Sequence, residues 1–90
     1  MAILVHEVWR QVSDSGMVLH TCCLAGTIGE RCRRTLSRNA QLLTTFEAGS
    51  HFEAMTIYNR FLGRERYTTN QSWDYEPYPA EWRERQVGHA

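Results

Sequence analysis

The chain contains no lysine: all ten basic side chains among its 90 residues are arginine, and ten acidic residues balance them to a formal net charge of zero. A neutral total argues against a general nucleic-acid binder, although a local basic patch can still exist. All-arginine usage reads first as a composition bias and second as a demand for planar guanidinium groups at phosphate or carboxylate contacts. Long apolar runs are also missing. No stretch of 18 or more apolar residues occurs, so no membrane-spanning helix is expected. The apolar start Ile3-Leu4-Val5 is broken by His6 and Glu7 before it reaches the length of a signal-peptide core, and a cytoplasmic location is expected. Cysteine is sparse and odd in number. Cys22 and Cys23 are adjacent, so on a strand they point to opposite faces and cannot bridge each other, and with Cys32 alone remaining a secreted disulfide scaffold is not expected.

What is present is enough for one domain. At 42% hydrophobic and 22% charged, the composition is that of a folding chain rather than a disordered one. Ninety residues leave no room for a second core.

The first hydrophobic pattern has period two. Residues 3–12, ILVHEVWRQV, put Leu4, His6 and Val8 on one face and Val5, Glu7 and Trp9 on the other, which predicts a strand. Ser13-Asp14-Ser15-Gly16 supplies turn chemistry, and 17–24, MVLHTCCL, completes a hairpin. Thr27-Ile28-Gly29-Glu30 has the spacing of a capping box ahead of a helix at 28–38, with a thin apolar stripe of Ile28, Cys32 and Leu36 and with Asn39 as its stop. Residues 41–48 predict a third strand with Leu42, Thr44 and Phe46 on one face. A second capping box, Ser50-His51-Phe52-Glu53, opens a helix at 51–62 whose stripe of Ala54, Met55, Tyr58, Phe61 and Leu62 is wide and which Gly63 terminates. A short extra strand around Tyr67 is possible within 64–69, followed by a polar loop. Residues 73–82 hold two Trp, two Tyr and two Pro, so this segment is expected to be extended or turn-like, with 83–90 frayed.

The expected architecture is therefore α+β: one small domain in β-β-α-β-α order, a three-stranded, mainly antiparallel sheet with both helices on one face, and an extended aromatic C-terminal tail. The compact part is 1–69, and the tail, 70–90, packs on it or on a dimer mate. Open sheet edges and two apolar strand faces point to a homodimer.

Three groups of residues carry chemistry. His20, Cys22, Cys23 and Cys32 have metal-ligand character, but the paired-knuckle spacing of structural zinc sites is missing, and small buried thiols are the simpler reading; no metal and no cofactor are expected. Catalysis by a cysteine is not expected either, because His20 and Cys22 stand about 7 Å apart along a strand with no orienting carboxylate. Arg31, Arg34 and Arg38 recur at three- and four-residue spacing on the first predicted helix, a candidate phosphate-binding face, a solvated face, or a dock for the acidic tail residues Asp74, Glu76, Glu81 and Glu84. Trp73, Tyr75, Tyr78 and Trp82 are candidate partner-binding residues, since each ring gains roughly 1.5–3 kcal/mol on burial and needs shelter. The expectation these features support is a non-enzymatic interaction or regulatory module of a small cytoplasmic protein of bacterial type, with nucleic-acid association and metal binding as alternatives.

Overall fold

Alternating apolar residues at the N-terminus form the central strand of the sheet. In the computed structural model, which describes residues 2–87, β1 (Leu4–Val12) lies between β2 (Val18–Leu24) and β3 (Gln41–Ala48), and both pairings are antiparallel. The hairpin turn closes where expected, with Gly16 at φ 84°, the left-handed region that a residue without Cβ enters freely. Leu4, His6 and Val8 are buried along one face of β1, opposite Phe46 and Thr44 on β3 and Leu24 and Cys22 on β2. A register shift between Val8 and Trp9 pairs Val8 with Thr44 but Trp9 with Leu42, leaving Leu43 as the extra residue of a bulge. Leu42 therefore does not share a face with Thr44 and Phe46, as simple alternation predicts. One inserted residue reverses the parity of the strand beyond it.

The two capping-box sequences behave differently. At α2 (His51–Phe61) the Ser50 hydroxyl accepts from the Glu53 N–H at 3.1 Å, and the Glu53 carboxylate reaches back to the Gly49 N–H at 2.6 Å. The far end closes as a Schellman motif: Arg64 N–H donates to the Asn59 carbonyl and Gly63 N–H to that of Arg60, with Gly63 at φ 72°. The Thr27 box does not form. Residues Thr27–Gly29 make a 3-10 turn without a side-chain cap, and α1 is only Glu30–Arg33, much shorter than the expected 28–38. Its apolar stripe is too thin to hold more turns. Asn39, expected as a left-handed helix stop, has negative φ and instead uses its carboxamide on β1, accepting from Val12 N–H at 3.0 Å and donating to Val12 C=O at 2.8 Å.

The helices also divide between the faces of the sheet instead of sharing one. Cys32 of α1 meets Cys23, and Arg33 meets Glu7, residues paired across β1 and β2 on one face. Ala54 and Met55 of α2 look across a cleft at His6 and Cys22 on the other. The connection from β2 turns at Gly26, φ 77°, and Gly29 then lies so close to the Leu24 carbonyl that a Cβ there would sit 1.6 Å from its oxygen. That tight passage carries α1 under the sheet.

The C-terminal segment returns to the start of the chain. Ser72–Tyr75 is a 3-10 turn, and Pro77 and Tyr78 are extended, consistent with the restriction proline places on its neighbours. Where β1 and β3 separate, Tyr78 slips between them: its N–H donates to Gly49 C=O at 2.8 Å, and its own carbonyl accepts from Ala2 N–H at 3.2 Å. Residues 83–87, expected to fray, belong to α3 (Ala80–Val87), and 88–90 lie outside the described residues. The anchor is Gln86, whose buried carboxamide accepts from Val5 N–H at 2.9 Å and donates to the carbonyls of Val5 and Ala25 at 2.9 and 3.0 Å. No strand forms around Tyr67.

Candidate functional site

Between α2, the C-terminal segment and the buried face of the sheet lies a cleft of about 490 Å³. Trp73, Tyr78 and Trp82 form its aromatic wall, Leu24, Ala54 and Met55 its aliphatic floor, and His6, His51, Glu76 and Cys22 bring polar atoms to it. Tyr78 and Trp82 stack with ring centroids 5.7 Å apart, while Trp73 keeps 57% of its surface in water.

The two histidines are held in different ways. His6 is buried, and its Nδ1 lies 3.0 Å from the Leu4 carbonyl, an atom that can only accept. Nδ1 therefore carries the proton, and Nε2 accepts from the Tyr78 hydroxyl at 3.0 Å. The ring stacks on Phe46 at 5.0 Å, and burial pushes its pKa below the ordinary histidine value. Both nitrogens are occupied, so His6 is a structural link between β1 and the C-terminal segment.

His51 opens α2 and directs Nδ1 at the Asp74 carboxylate, which is fully buried. The other carboxylate oxygen accepts from the Tyr67 hydroxyl at 2.6 Å. Burial pushes the Asp74 carboxyl up, but hydrogen bonds from Tyr67, His51 and Thr69 outweigh it and hold the pKa below the usual carboxylate value. Because Asp74 is ionised and accepts only, the His51 Nδ1 is the protonated nitrogen. Its Nε2 makes no hydrogen bond among the described residues, and His51 is one of the residues lining the cleft. An imidazole acceptor backed by a carboxylate thus stands in a largely apolar wall that also holds Glu76.

Burial, then the neighbouring Cys32, pushes Cys22 up to about 11, so it stays protonated at neutral pH.

Of the four tail rings read from the sequence, Trp73, Tyr78 and Trp82 come together here, and Tyr75 instead packs on Phe52, centroids 4.6 Å apart. The arginine face is not assembled: α1 ends at Arg33, so Arg31, Arg34 and Arg38 do not line one helix, and Arg34 is paired with Glu30 at 3.0 Å. Asp74 is committed to His51 rather than to those arginines. The Cys/His group is split, with Cys22 facing α2 while Cys23 and Cys32 meet on the opposite face. Among the described residues no cluster of three or more His, Cys, Asp or Glu is placed to hold a metal ion, and no helix is long and apolar enough to cross a membrane. Sequence reading missed the His51–Asp74–Tyr67 chain, since His51 stood only as the second residue of a capping box and Asp74 as one of several tail acids. The one available signal was an acidic residue enclosed by Trp73 and Tyr75.

The fold and cleft define a small α+β domain with a central antiparallel sheet. No family model, curated protein or solved structure matches the chain.

Proposed function

We propose that this protein is a non-enzymatic, cytoplasmic binding module whose cleft takes a small, mostly apolar molecule carrying one hydrogen-bond donor. The observation that carries this reading is His51 on the wall of an aromatic-lined cleft, with Nδ1 committed to Asp74 and no partner for Nε2 among the described residues. A volume of about 490 Å³ suits a small organic molecule. The lining matches that class in kind: many apolar and aromatic surfaces with a few placed polar atoms. A flat ligand with a hydroxyl can lay its ring on Trp73 or Trp82 and donate to His51.

A pair of probes tests it: 4-ethylphenol and its O-methyl ether, followed by tryptophan fluorescence and ligand-observed NMR. The phenol is expected to bind several-fold and up to about tenfold more tightly than the ether, the gain of one hydrogen bond to a half-exposed acceptor. His51→Asn, whose side-chain amide can still donate to Asp74, is expected to lose that preference and keep the fold. Binding of neither probe, equal binding of both, or binding unchanged in Trp73→Ala overturns the reading.

Self-association is a second reading, favoured by the exposed edge strand β3, where Leu42 and Leu43 are 48% and 41% accessible. The proposed occupant is a second copy pairing edge to edge. Sedimentation is expected to show a concentration-dependent dimer that Leu43→Lys disrupts, and a monomer at every concentration overturns it.

A further inference from the structure

On the face of the sheet away from the cleft, two thiols from different elements point at each other. The Cys23 Sγ on β2 and the Cys32 Sγ on α1 are 2.7 Å apart, across a sequence separation of nine residues. A bonded pair of sulfurs sits at about 2.05 Å, so closing the gap needs well under an ångström of movement at each side chain. Both cysteines are reduced in this structure. Cys22, although adjacent in sequence, is excluded by strand geometry: it pairs with Val8 and projects into the cleft, whereas Cys23 pairs with Glu7 and projects towards α1.

We propose that Cys23 and Cys32 form a reversible oxidation site that takes a peroxide as its oxidant and closes to an intramolecular disulfide stapling α1 to β2. The two sulfurs have unequal roles. Cys23 is buried, and burial together with Cys32 pushes its thiol up to about 12, which makes it a poor first nucleophile. Cys32 is only half-buried and lies within reach of solvent. The Cys32 thiolate attacks one peroxide oxygen, an S–O bond forms as the O–O bond breaks, and the leaving hydroxide takes up the thiol's proton as water. Cys23 sulfur then attacks the sulfenic sulfur. The S–S bond forms, the S–O bond breaks, and hydroxide departs with the Cys23 proton as a second water. Two thiols lose two electrons to one hydrogen peroxide, and a dithiol reductant reverses the change. The structural consequence is local. α1 is a helix of four residues held to the sheet by Arg33, which donates to the Leu24 carbonyl at 2.7 Å and pairs with Glu7 at 3.5 Å. A covalent bond one residue away fixes that segment in place.

The test treats the full chain with a small excess of hydrogen peroxide and follows intact mass, free thiols and a peptide map. The expected result is a monomer lighter by two hydrogen atoms, free thiols falling from three to one, and a map joining Cys23 to Cys32, all restored by dithiothreitol. The melting temperature is expected to rise on the order of 10 °C on closure of so short a loop. Cys22→Ser should still close, and Cys32→Ser should not. Should a Cys23 variant fold poorly, the peptide map of the unaltered chain decides the matter. Three surviving thiols, a bond that includes Cys22, a disulfide between two chains, or direct passage of Cys32 to sulfinic acid each overturns the proposal.

Discussion

The two faces of the sheet are closed from opposite directions along the chain. On the cleft side the closing contacts are long-range: Tyr78 meets His6 across 72 positions, and His51 meets Asp74 across 23. On the thiol side they are local, with Cys32 and Arg33 reaching Cys23 and Leu24 across nine. Local closure costs little chain entropy and can be made by four helical residues, whereas the cleft face depends on the last fifteen or so residues returning to the first strand. Perturbing the returning segment is therefore expected to open one face and spare the other.

The largest effect is expected in the buried face itself. Leu4 is fully buried, and Leu4→Ala should lower stability by about 3 kcal/mol in chemical denaturation. A loss under about 1 kcal/mol would mean that the cleft face contributes less than its burial implies. Gln86→Ala comes next, at about 2 kcal/mol, because the Val5 N–H and the Val5 and Ala25 carbonyls lose a partner together. In this variant hydrogen exchange should quicken at Val5 and Ala25, while the amides around Cys23 keep their protection. Equal quickening on both faces would erase the distinction between long-range and local closure. The two capping sequences offer a finer comparison. Ser50→Ala should cost about 1 kcal/mol, and Thr27→Ala should stay within about 0.5 kcal/mol, since only Ser50 accepts a backbone hydrogen bond.

Acidity separates the faces more gradually. His6 has a lowered pKa in the fold, so the unfolded chain binds its proton first as pH drops below about 6.5, and stability declines from there. Asp74 is likewise depressed, and its contribution is lost as pH falls below about 3.8. Both groups lie on the cleft side. Cys23, on the opposite face, is raised instead, so its contribution holds below about 9 and is lost as pH climbs towards 12. A pH-denaturation series should then show Cys23→Ser altering the alkaline limb alone. A changed acid limb in that variant would contradict the assignment.

Much of this architecture could be read from residue patterns. The hairpin, β3 and α2 have long, regular apolar spacing backed by turn or cap chemistry, and each lies within a residue or two of its expected span. What escaped was set by features without a period. The bulge at Leu43 reverses a face through one residue, and nothing in QLLTTFEA marks which residue it is. The division of the helices follows from the passage of Gly29 beneath the Leu24 carbonyl, a contact that alternation does not encode. At the site, the aromatic residues were visible because such rings must be buried somewhere, but His51 and Asp74, 23 positions apart, act as a pair only once the segment between them is folded away.

A carboxamide carries the same donor and acceptor as a peptide unit, and β1 meets one near each end: Asn39 at Val12, on the side of β3, and Gln86 at Val5, on the side of β2. Each fills a slot where a neighbouring strand has run out. Because successive residues of a strand offer their polar groups to alternate sides, a slip of one position would turn both amides towards groups pointing away from them. The central strand is thus indexed from both ends, and its frame is set by two side chains that belong to no strand at all.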